Sequence, residues 1–498
     1  MDFLKNLDSP IFHTISEIAE KLGRDVYVVG GYVRDIFLER HSKDIDFVTV
    51  GSGIDLASEV AKKLGPKAKL NVFPNFGTAH INYKDLELEF VGARKESYTR
   101  DSRNPIVENG TLEEDLTRRD FTINAMAISI NNKNYGELLD PFHGLLDLSR
   151  GIIETPTDPD VTFSDDPLRM LRAIRFATQL QIPEFSENSI NIDKPLDNFK
   201  LSPETLNAIK RNAPRMEIIT RERINTELSK IMMAPKPSIG WKLLDETGLL
   251  PYVFPSLIPL KGVEIVGGRG HKDNFHHTIQ VLDNVAVRSD NEWLRWAALL
   301  HDIAKPATKK YDPVLGWTFH SHNYVGEKMV PTIFRDMKMP LNDKMKYVAK
   351  LVGLHMRPQS VGESGVTDSG VRRLITEAGD MIEDLMLLAE SDITSKKPEK
   401  VRHQLEGFKK LRERIDQIND ADALRNWKNP INGREIMEQL GIPEGPRVAL
   451  LKDMVKEAIL EGKIPYDHDS AWNYLLENFE KDKINSENQK LYSEEIGS

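Results

Sequence analysis

Two carboxylates stand one residue apart in the segment Val28 to Val50, VVGGYVRDIFLERHSKDIDFVTV. On a strand, residues i and i+2 face the same way, so Asp44 and Asp46 converge. Two converging carboxylates resist ionising together unless a cation lies between them. Mg²⁺ suits that position, because it takes oxygen ligands and shares them with substrate phosphates. Just upstream, Gly30 and Gly31 open a short helix from about Tyr32. Backbone there can approach an anion with no side chain in the way. A phosphate cradle followed by a metal pair is the machinery of nucleotidyl transfer. Taken singly, the glycines also read as an ordinary turn and the aspartates as a solvated face.

A second constellation occupies residues 271–392: His277 in HHTIQVLDNV, His301-Asp302 in LLHDIAKP, His322 in FHSHNYVGEKM, His355 in GLHMRP and Asp392 in AESDIT. Imidazoles and carboxylates spread over separate helices suit a hard or borderline divalent metal. Each histidine by itself also reads as a satisfied core or surface group. Lys305, three residues after Asp302, is placed to meet a phosphate.

The elements that must position these groups can be read in order. Helical spacing of Ile11, Ile15, Ile18, Ala19 and Leu22 predicts a helix within residues 1–23. A strand (VYVVG), the glycine turn, a short helix and the DIDFVTV strand follow. A helix over Leu56–Leu64 closes at Gly65-Pro66. Strands are predicted over Thr78–Tyr83 and Leu86–Val91, joined by a Lys84-Asp85 turn. Glu89 on the second is either a third metal carboxylate or a solvent-facing residue of an edge strand. Lys95 to Glu114 is polar and aperiodic, which predicts a long mobile loop. In RRDFTINAMAISI, Arg118, Arg119, Asp120 and Asn124 could orient a triphosphate and its sugar, or form a structural ion pair. A strand in NYGELLD and a turn at Pro141–Gly144 close the first region.

From Leu145 the pattern is helical almost throughout. In SDDPLRMLRAIRFATQL, Leu168, Leu171, Ile174 and Ala177 share one face, with Arg169, Arg172 and Arg175 at three-residue spacing. Asp166 and Arg169 fall on one side of the helix start, either as an ion pair or as an acceptor and forked donor matching a nucleobase edge. Lys210 to Lys242 carries eight basic residues against three glutamates, a face able to track a phosphate backbone or simply to be solvated.

Composition sets the frame. The chain has 498 residues, 40% apolar and 29% charged, with net charge −10 and no cysteine. That length holds roughly three to four domains at about 150 residues each. A generic nucleic-acid coat is disfavoured by the acidic balance, and disulfides and thiolate metal sites are excluded. No apolar run reaches the roughly 20 residues of a membrane span, and the acidic amphipathic start is unlike a signal peptide. A soluble, cytoplasmic protein is expected.

With the motifs placed, VVGGYVRD, DID, GTLEEDLTRRDFTINAMA, DDPLRMLRAIRFA and RERINTELSKI resemble, in order and spacing, the class II tRNA nucleotidyltransferases (CCA-adding enzymes) of the polymerase-beta-like superfamily. The His…His-Asp…His…His…Asp series resembles the HD phosphohydrolases. The resemblance implies a multidomain α+β chain. A nucleotidyltransferase head of mixed sheet and helices spans 1–144, and a helical nucleotide-selecting and RNA-binding neck spans 145–260. An all-α HD domain spans 261–400 and a helical C-terminal region 401–498.

It further implies catalytic Mg²⁺ on Asp44 and Asp46, and nucleotide contacts from Gly30, Gly31, Arg34, Arg118, Arg119, Asp120 and Asn124. CTP or ATP would be read by Asp166 and Arg169, with Arg172 and Arg175 on phosphates or structure. In the HD domain, His277, His301, Asp302 and Asp392 would hold one metal, with His322 and His355 adding a second. Partners would be tRNA, CTP and ATP. Two departures stand out: Asp165-Asp166 replaces the usual Glu-Asp, and EFVGAR (Glu89–Arg94) replaces Asp-Val-Thr-Thr-Phe-Arg. Within the class, FPNFGTAHI lacks the paired arginines of poly(A) polymerases, so CCA addition is preferred. A poly(A) polymerase, an A- or CC-adding specialist, an HD phosphohydrolase with a nucleotide-sensing first half and a non-catalytic RNA-binding module are the alternatives.

Overall fold

The computed structural model describes residues 3–97, 106–180, 198–266, 269–270, 273–363, 365–394, 397–418 and 427–479. It divides into two compact units, Met1–Ile258 with Asp336–Met339, and Pro259–Arg335 with Pro340–Ser498.

The first unit is built on a seven-stranded sheet. Its strands are β1 (Val26–Val29), β2 (Asp44–Thr49), β3 (Ala68–Phe73), β4 (Thr78–Tyr83), β5 (Leu86–Gly92), β8 (Ala127–Ser129) and β9 (Leu138–Leu139), in the order β3-β4-β5-β2-β1-β8-β9. Within this sheet, among the described residues, only the β2–β5 pair is parallel. Alternation sorts the two faces. Ile45 and Phe47 of β2 and Leu88 and Phe90 of β5 point one way and are buried, with Phe47 and Phe90 stacked at 5.0 Å. Over them pack α1 (Pro10–Lys21), which brings Phe12 to 6.0 Å from Phe47, and α3 (Gly53–Leu64). The opposite face carries Asp44 and Asp46. Helix α2 (Gly31–Phe37) leaves β1 through Gly30.

The segment expected as a loop from Lys95 is instead a ladder, β6 (Arg94–Ser97) against β7 (Ile106–Asn109), then α4 (Leu112–Thr117) closed by a Thr111/Glu114 capping box. Backbone pairing and a cap had no apolar periodicity to announce them. The middle of that expected loop, 98–105, lies outside the described residues. β3, too, gave no alternating pattern, because most of its residues are exposed.

Beyond the sheet the unit is helical, with α5 (Gly144–Arg150), α6 (Pro159–Asp165), α7 (Leu168–Gln179), α8 (Pro203–Asn212), α9 (Arg221–Met232) and α10 (Ser238–Glu246). Five of the eight cations between 210 and 242 are engaged within the unit: Arg211 with Asp160, Arg215 with the Ser164 carbonyl, Arg221 with the Tyr252 carbonyl, Arg223 with Asp166 and Lys230 with Glu227. Arg211, Arg223 and Lys230 nonetheless keep 57, 37 and 49% of their side chains exposed, so this pairing leaves basic surface along the stretch.

The second unit is also mainly helical. Asn274–Ala286, Glu292–Leu300, His322–Asp336, Asp343–Leu354 and Ile382–Ser391 surround one site, and Pro398–Gln417 follows them. Two short ladders, Ile265–Val266 with Arg269–Gly270 and Lys310–Asp312 with Gly316–Thr318, interrupt the helical expectation. Helices Gly433–Leu440, Pro446–Leu460 and 468–479 share a small core of Ile436, Leu451, Val455 and Leu475. Among the described residues, no helix is long and apolar enough to cross a membrane.

Candidate active sites

Register across the sheet assembles the first site. Asp44 pairs with Glu87 and Asp46 with Glu89 across β2–β5, and Glu89 lies opposite His80 on β4. Four carboxylates and an imidazole therefore share one face. β5 is a central strand, so the edge-strand reading of Glu89 is excluded. Its carboxylate meets His80 Nε2 at 3.4 Å. Burial pushes Asp46 up to about 6, and the charges of Glu89 and Asp44 reinforce the rise against Arg119. An all-oxygen donor set that disfavours its own ionisation gains by taking a hard cation, which fits Mg²⁺.

A basic wall flanks these carboxylates on the β1 side. Gly30 has φ +72, and a Cβ there would meet Arg119 Nη1 at 2.9 Å and Asp46 Oδ2 at 3.3 Å. Glycine keeps open the junction between acid and base. Its own amide donates to the Met126 carbonyl, so Gly30 supplies room rather than an anion donor. Arg34 donates through Nη1 to Asn124 Oδ1 at 2.8 Å, and Asn124 Nδ2 donates to Asp120 Oδ1 at 3.0 Å. Arg172 Nε reaches Asp120 Oδ2 at 2.7 Å. Burial alone would raise Asp120, yet Arg172 and the Asn124 hydrogen bond hold it down at about 2. Arg34, Arg172 and Arg175 gather around the Phe176 ring at 5.1, 5.5 and 4.3 Å, within cation–π range. Burial lowers Arg175 to about 10 despite its ion pair with Glu227 at 2.8 Å.

These groups line one cavity of about 580 Å³. Asp44, Asp46, Gly30, Gly31, Arg34, Arg119, Asp120, Asn124, Arg172 and Arg175 are all in its wall. Arg118, Asp166 and Arg169 stand outside it. Arg118 Nε turns to Asp115 at 3.1 Å, and Arg119 shares that carboxylate at 3.0 Å, so neither forms the expected pair with Asp120. Asp166 accepts from the Leu168 amide at 3.1 Å and pairs with Arg223 at 3.1 Å. Arg169 donates to the Arg118 carbonyl at 2.8 Å, so no Asp166–Arg169 pair forms. Sequence reasoning passed over His80, Glu87 and Phe176, of which strand alternation could have flagged the first two; Lys230, read there as part of a basic face, lines this cavity.

The second site is a largely buried cluster in the other unit, reached from a cavity whose wall includes His277, His322 and Asp392. His277 Nε2 lies 2.9 Å from Asp392 and 3.4 Å from Asp302, and His301 Nε2 lies 3.3 Å from Asp302. His322 Nε2 is 3.3 Å from Asp302, and His355 Nε2 is 4.0 Å from it. Each ring is oriented through its other nitrogen. His301 Nδ1 meets the Ala298 carbonyl at 2.7 Å, His322 the Phe319 carbonyl at 2.8 Å, His355 the Val352 carbonyl at 2.7 Å and His277 the Thr394 hydroxyl at 2.9 Å. A carbonyl only accepts, so those three Nδ1 atoms carry the proton, and in the neutral ring Nε2 presents a bare lone pair. His322 and His355 then aim Nε2 at each other from 3.3 Å, an arrangement that calls for a cation. His301 Nε2 is buried without a well-formed hydrogen bond.

Two triads, His277/His301/Asp302 and Asp302/His322/His355, each bring ligand atoms within 4.8 Å of one another. Burial opposes charge on His301, but Asp302 and Asp392 override it and push the ring up to about 10. Burial and the neighbouring His301 push His355 down to about 4. The two carboxylates thus draw positive charge to His301, where a proton occupies the place a metal would take, while His355 keeps its lone pair free. Lys305 Nζ meets Asp302 at 2.6 Å and lines the adjoining cavity, also about 580 Å³.

Three family models match: the poly A polymerase head domain over residues 26–154, a probable RNA and SrmB-binding site of polymerase A over 198–260, and the HD domain over 274–396. An A-adding tRNA nucleotidyltransferase of Aquifex aeolicus is 44% identical over 40% of this chain, which spans 22% of that relative's length. A multifunctional CCA protein of Shewanella frigidimarina is 31% identical over 64% of this chain and 73% of its own. One solved tRNA nucleotidyltransferase, complexed with a primer tRNA and an incoming ATP analog, aligns at 27% identity and TM-score 0.55. It covers 80% of this chain and 98% of its own.

Proposed function

This chain belongs to the tRNA nucleotidyltransferase family, and from that premise we infer that it adds C, C and A to the 3′ end of tRNA from CTP and ATP, releasing pyrophosphate. The observation that carries the reading is the single cavity whose floor is Asp44, Asp46 and Glu89 and whose wall is Arg34, Arg119, Arg172 and Arg175. Acid beside base on this scale matches a nucleoside triphosphate carrying its metal. Mg²⁺ held by Asp44 and Asp46 would supply charge neutralisation and a more acidic attacking hydroxyl.

The chain's own residues do the rest. Forked guanidiniums grip triphosphate oxygens in fixed geometry, and Asp120 keeps Arg172 aimed through a buried charge-assisted bond. Phe176 gathers three guanidiniums around its ring. Preorganised charge of this kind is the principal lever in phosphoryl transfer. Asp166 and Arg169 would read the base after exchanging Arg223 and the Arg118 carbonyl for the nucleobase edge. The working regions are 1–144, 145–260, 261–400 and 401–498.

A second activity rests on a separate observation, the four oriented histidines around Asp302. We assign this site metal-dependent hydrolysis of phosphate esters, with a divalent ion on His277, His301, Asp302 and Asp392, and His322 and His355 available to a second. Lys305 is placed to meet the phosphate. One experiment tests both readings: the full chain is incubated with tRNA lacking its 3′ CCA, Mg²⁺ and each labelled triphosphate. C then A is expected. Long A tails would make it a poly(A) polymerase, A alone on tRNA ending in CC a specialist, and phosphate release alone an HD hydrolase with a nucleotide sensor.

A further inference from the structure

A nucleotidyl transfer site needs a second substrate, and the sheet order says from which side it comes. The triphosphate wall (Arg34, Arg119, Arg172) lies toward β1 and β8. On the other side of the carboxylates come β4 and then the edge strand β3. Displacement at the α-phosphorus is in line, so the attacking hydroxyl enters opposite the leaving pyrophosphate. With the pyrophosphate held by the arginines, the hydroxyl must arrive over β4 and β3.

What stands on that side is aromatic and exposed. Asn71, His80, Glu89 and Asp46 form one continuous row across four strands. Phe73, two residues from Asn71 on the same face, meets the His80 ring edge-on at 5.1 Å and is 43% exposed. Phe76, at the turn between β3 and β4, is 70% exposed. This turn is braced rather than loose: the Phe76 carbonyl accepts from Thr78 Oγ1 at 3.1 Å and from Arg94 Nη1 at 3.5 Å. Two large rings on a braced turn have no folding benefit from such exposure. They do suit bases of a single-stranded 3′ end, since base–aromatic stacking is sequence-tolerant and contributes about 1–3 kcal/mol per base.

We propose that Phe73 and Phe76, continuous through His80 with the carboxylate row, are the stacking platform for the unpaired 3′-terminal bases of the RNA primer. This rests on the transferase reading above. Tolerance of base identity is the point: the same platform accepts an end that changes with each addition.

The test uses the full chain and the variants Phe73→Ala, Phe76→Ala, Phe76→Leu and Phe76→Tyr. The expected result is a primer KM about tenfold higher for each alanine variant, with the KM for CTP and ATP unchanged. Tyr should preserve the wild-type primer KM, and Leu should behave as Ala, which separates stacking from mere apolar bulk. An unchanged primer KM, an equal rise in the triphosphate KM, or full rescue by Leu would overturn the platform while leaving the transferase reading intact. A second arm measures fluorescence anisotropy of a short labelled single-stranded RNA without triphosphate. Should wild type incorporate nothing, that reading fails, and this arm still decides: binding weakened by Phe76→Ala and kept by Phe76→Tyr supports the platform, and equal binding by all variants overturns it.

Discussion

The two sites handle the same problem, placing positive charge among carboxylates, in opposite ways. In the sheet site, Asp44, Asp46 and Glu89 line an open face, and no three of its acids come within 4.8 Å of one another; among the described residues only the histidine site does that. An open acid face suits an ion that keeps waters and arrives with substrate phosphates. A buried cage with every imidazole oriented by its far nitrogen suits a resident ion. By that difference an ion in the first site would be shared with the substrate, whereas an ion in the second would belong to the fold.

The sharpest break of that comparison is to remove one carboxylate from each site. Asp46→Asn should lower incorporation by about a thousandfold or more and leave hydrolysis of p-nitrophenyl phosphate unchanged, while Asp302→Asn does the converse. Loss of both activities from either change would mean that the sites are not independent. Metal removal comes next. Brief gel filtration in metal-free buffer should abolish incorporation until Mg²⁺ is restored, yet leave about one metal per chain by elemental analysis. Prolonged chelation should strip that ion and lower the melting temperature. Smaller still is Glu89→Gln, expected to slow incorporation about tenfold by weakening the acid face without removing a primary ligand.

The smallest effect is a stability difference with pH. Asp120 is held down at about 2, so the stability it contributes is complete above the ordinary carboxylate range and is lost as pH falls through about 2. That contribution is about 2 kcal/mol. The melting temperature of wild type should therefore exceed that of Asp120→Asn at pH 6, with the gap closing between pH 4 and 2. Asp46 runs the other way. Raised to about 6, it weakens the metal-free fold as pH climbs from 4 to 6.

Much of this was legible beforehand because both sites write short-range signals. Asp44 and Asp46 need only strand alternation, and the histidine series announces itself by residue type. Legibility stopped where partners are chosen over distance. Nothing near Asp166 says that its partner is Arg223, or that Arg118 and Arg119 would share Asp115 rather than flank Asp120. The place of Glu89 depended on strand order, which alternation cannot supply. The ladder β6–β7 was missed because backbone pairing needs no apolar periodicity.

One turn carries an unexpected burden. Lys84, at φ +56, and Asp85 close the hairpin between β4 and β5, and with the buried Leu88 and Phe90 they hold the register that turns Glu87 and Glu89 toward Asp46. In a register slipped by one residue, Leu88 and Phe90 would lie on the acid face, and Glu87 and Glu89 would be driven into the packing beneath α1 and α3. The hairpin is a ruler, and a bend remote from the acids keeps them in line.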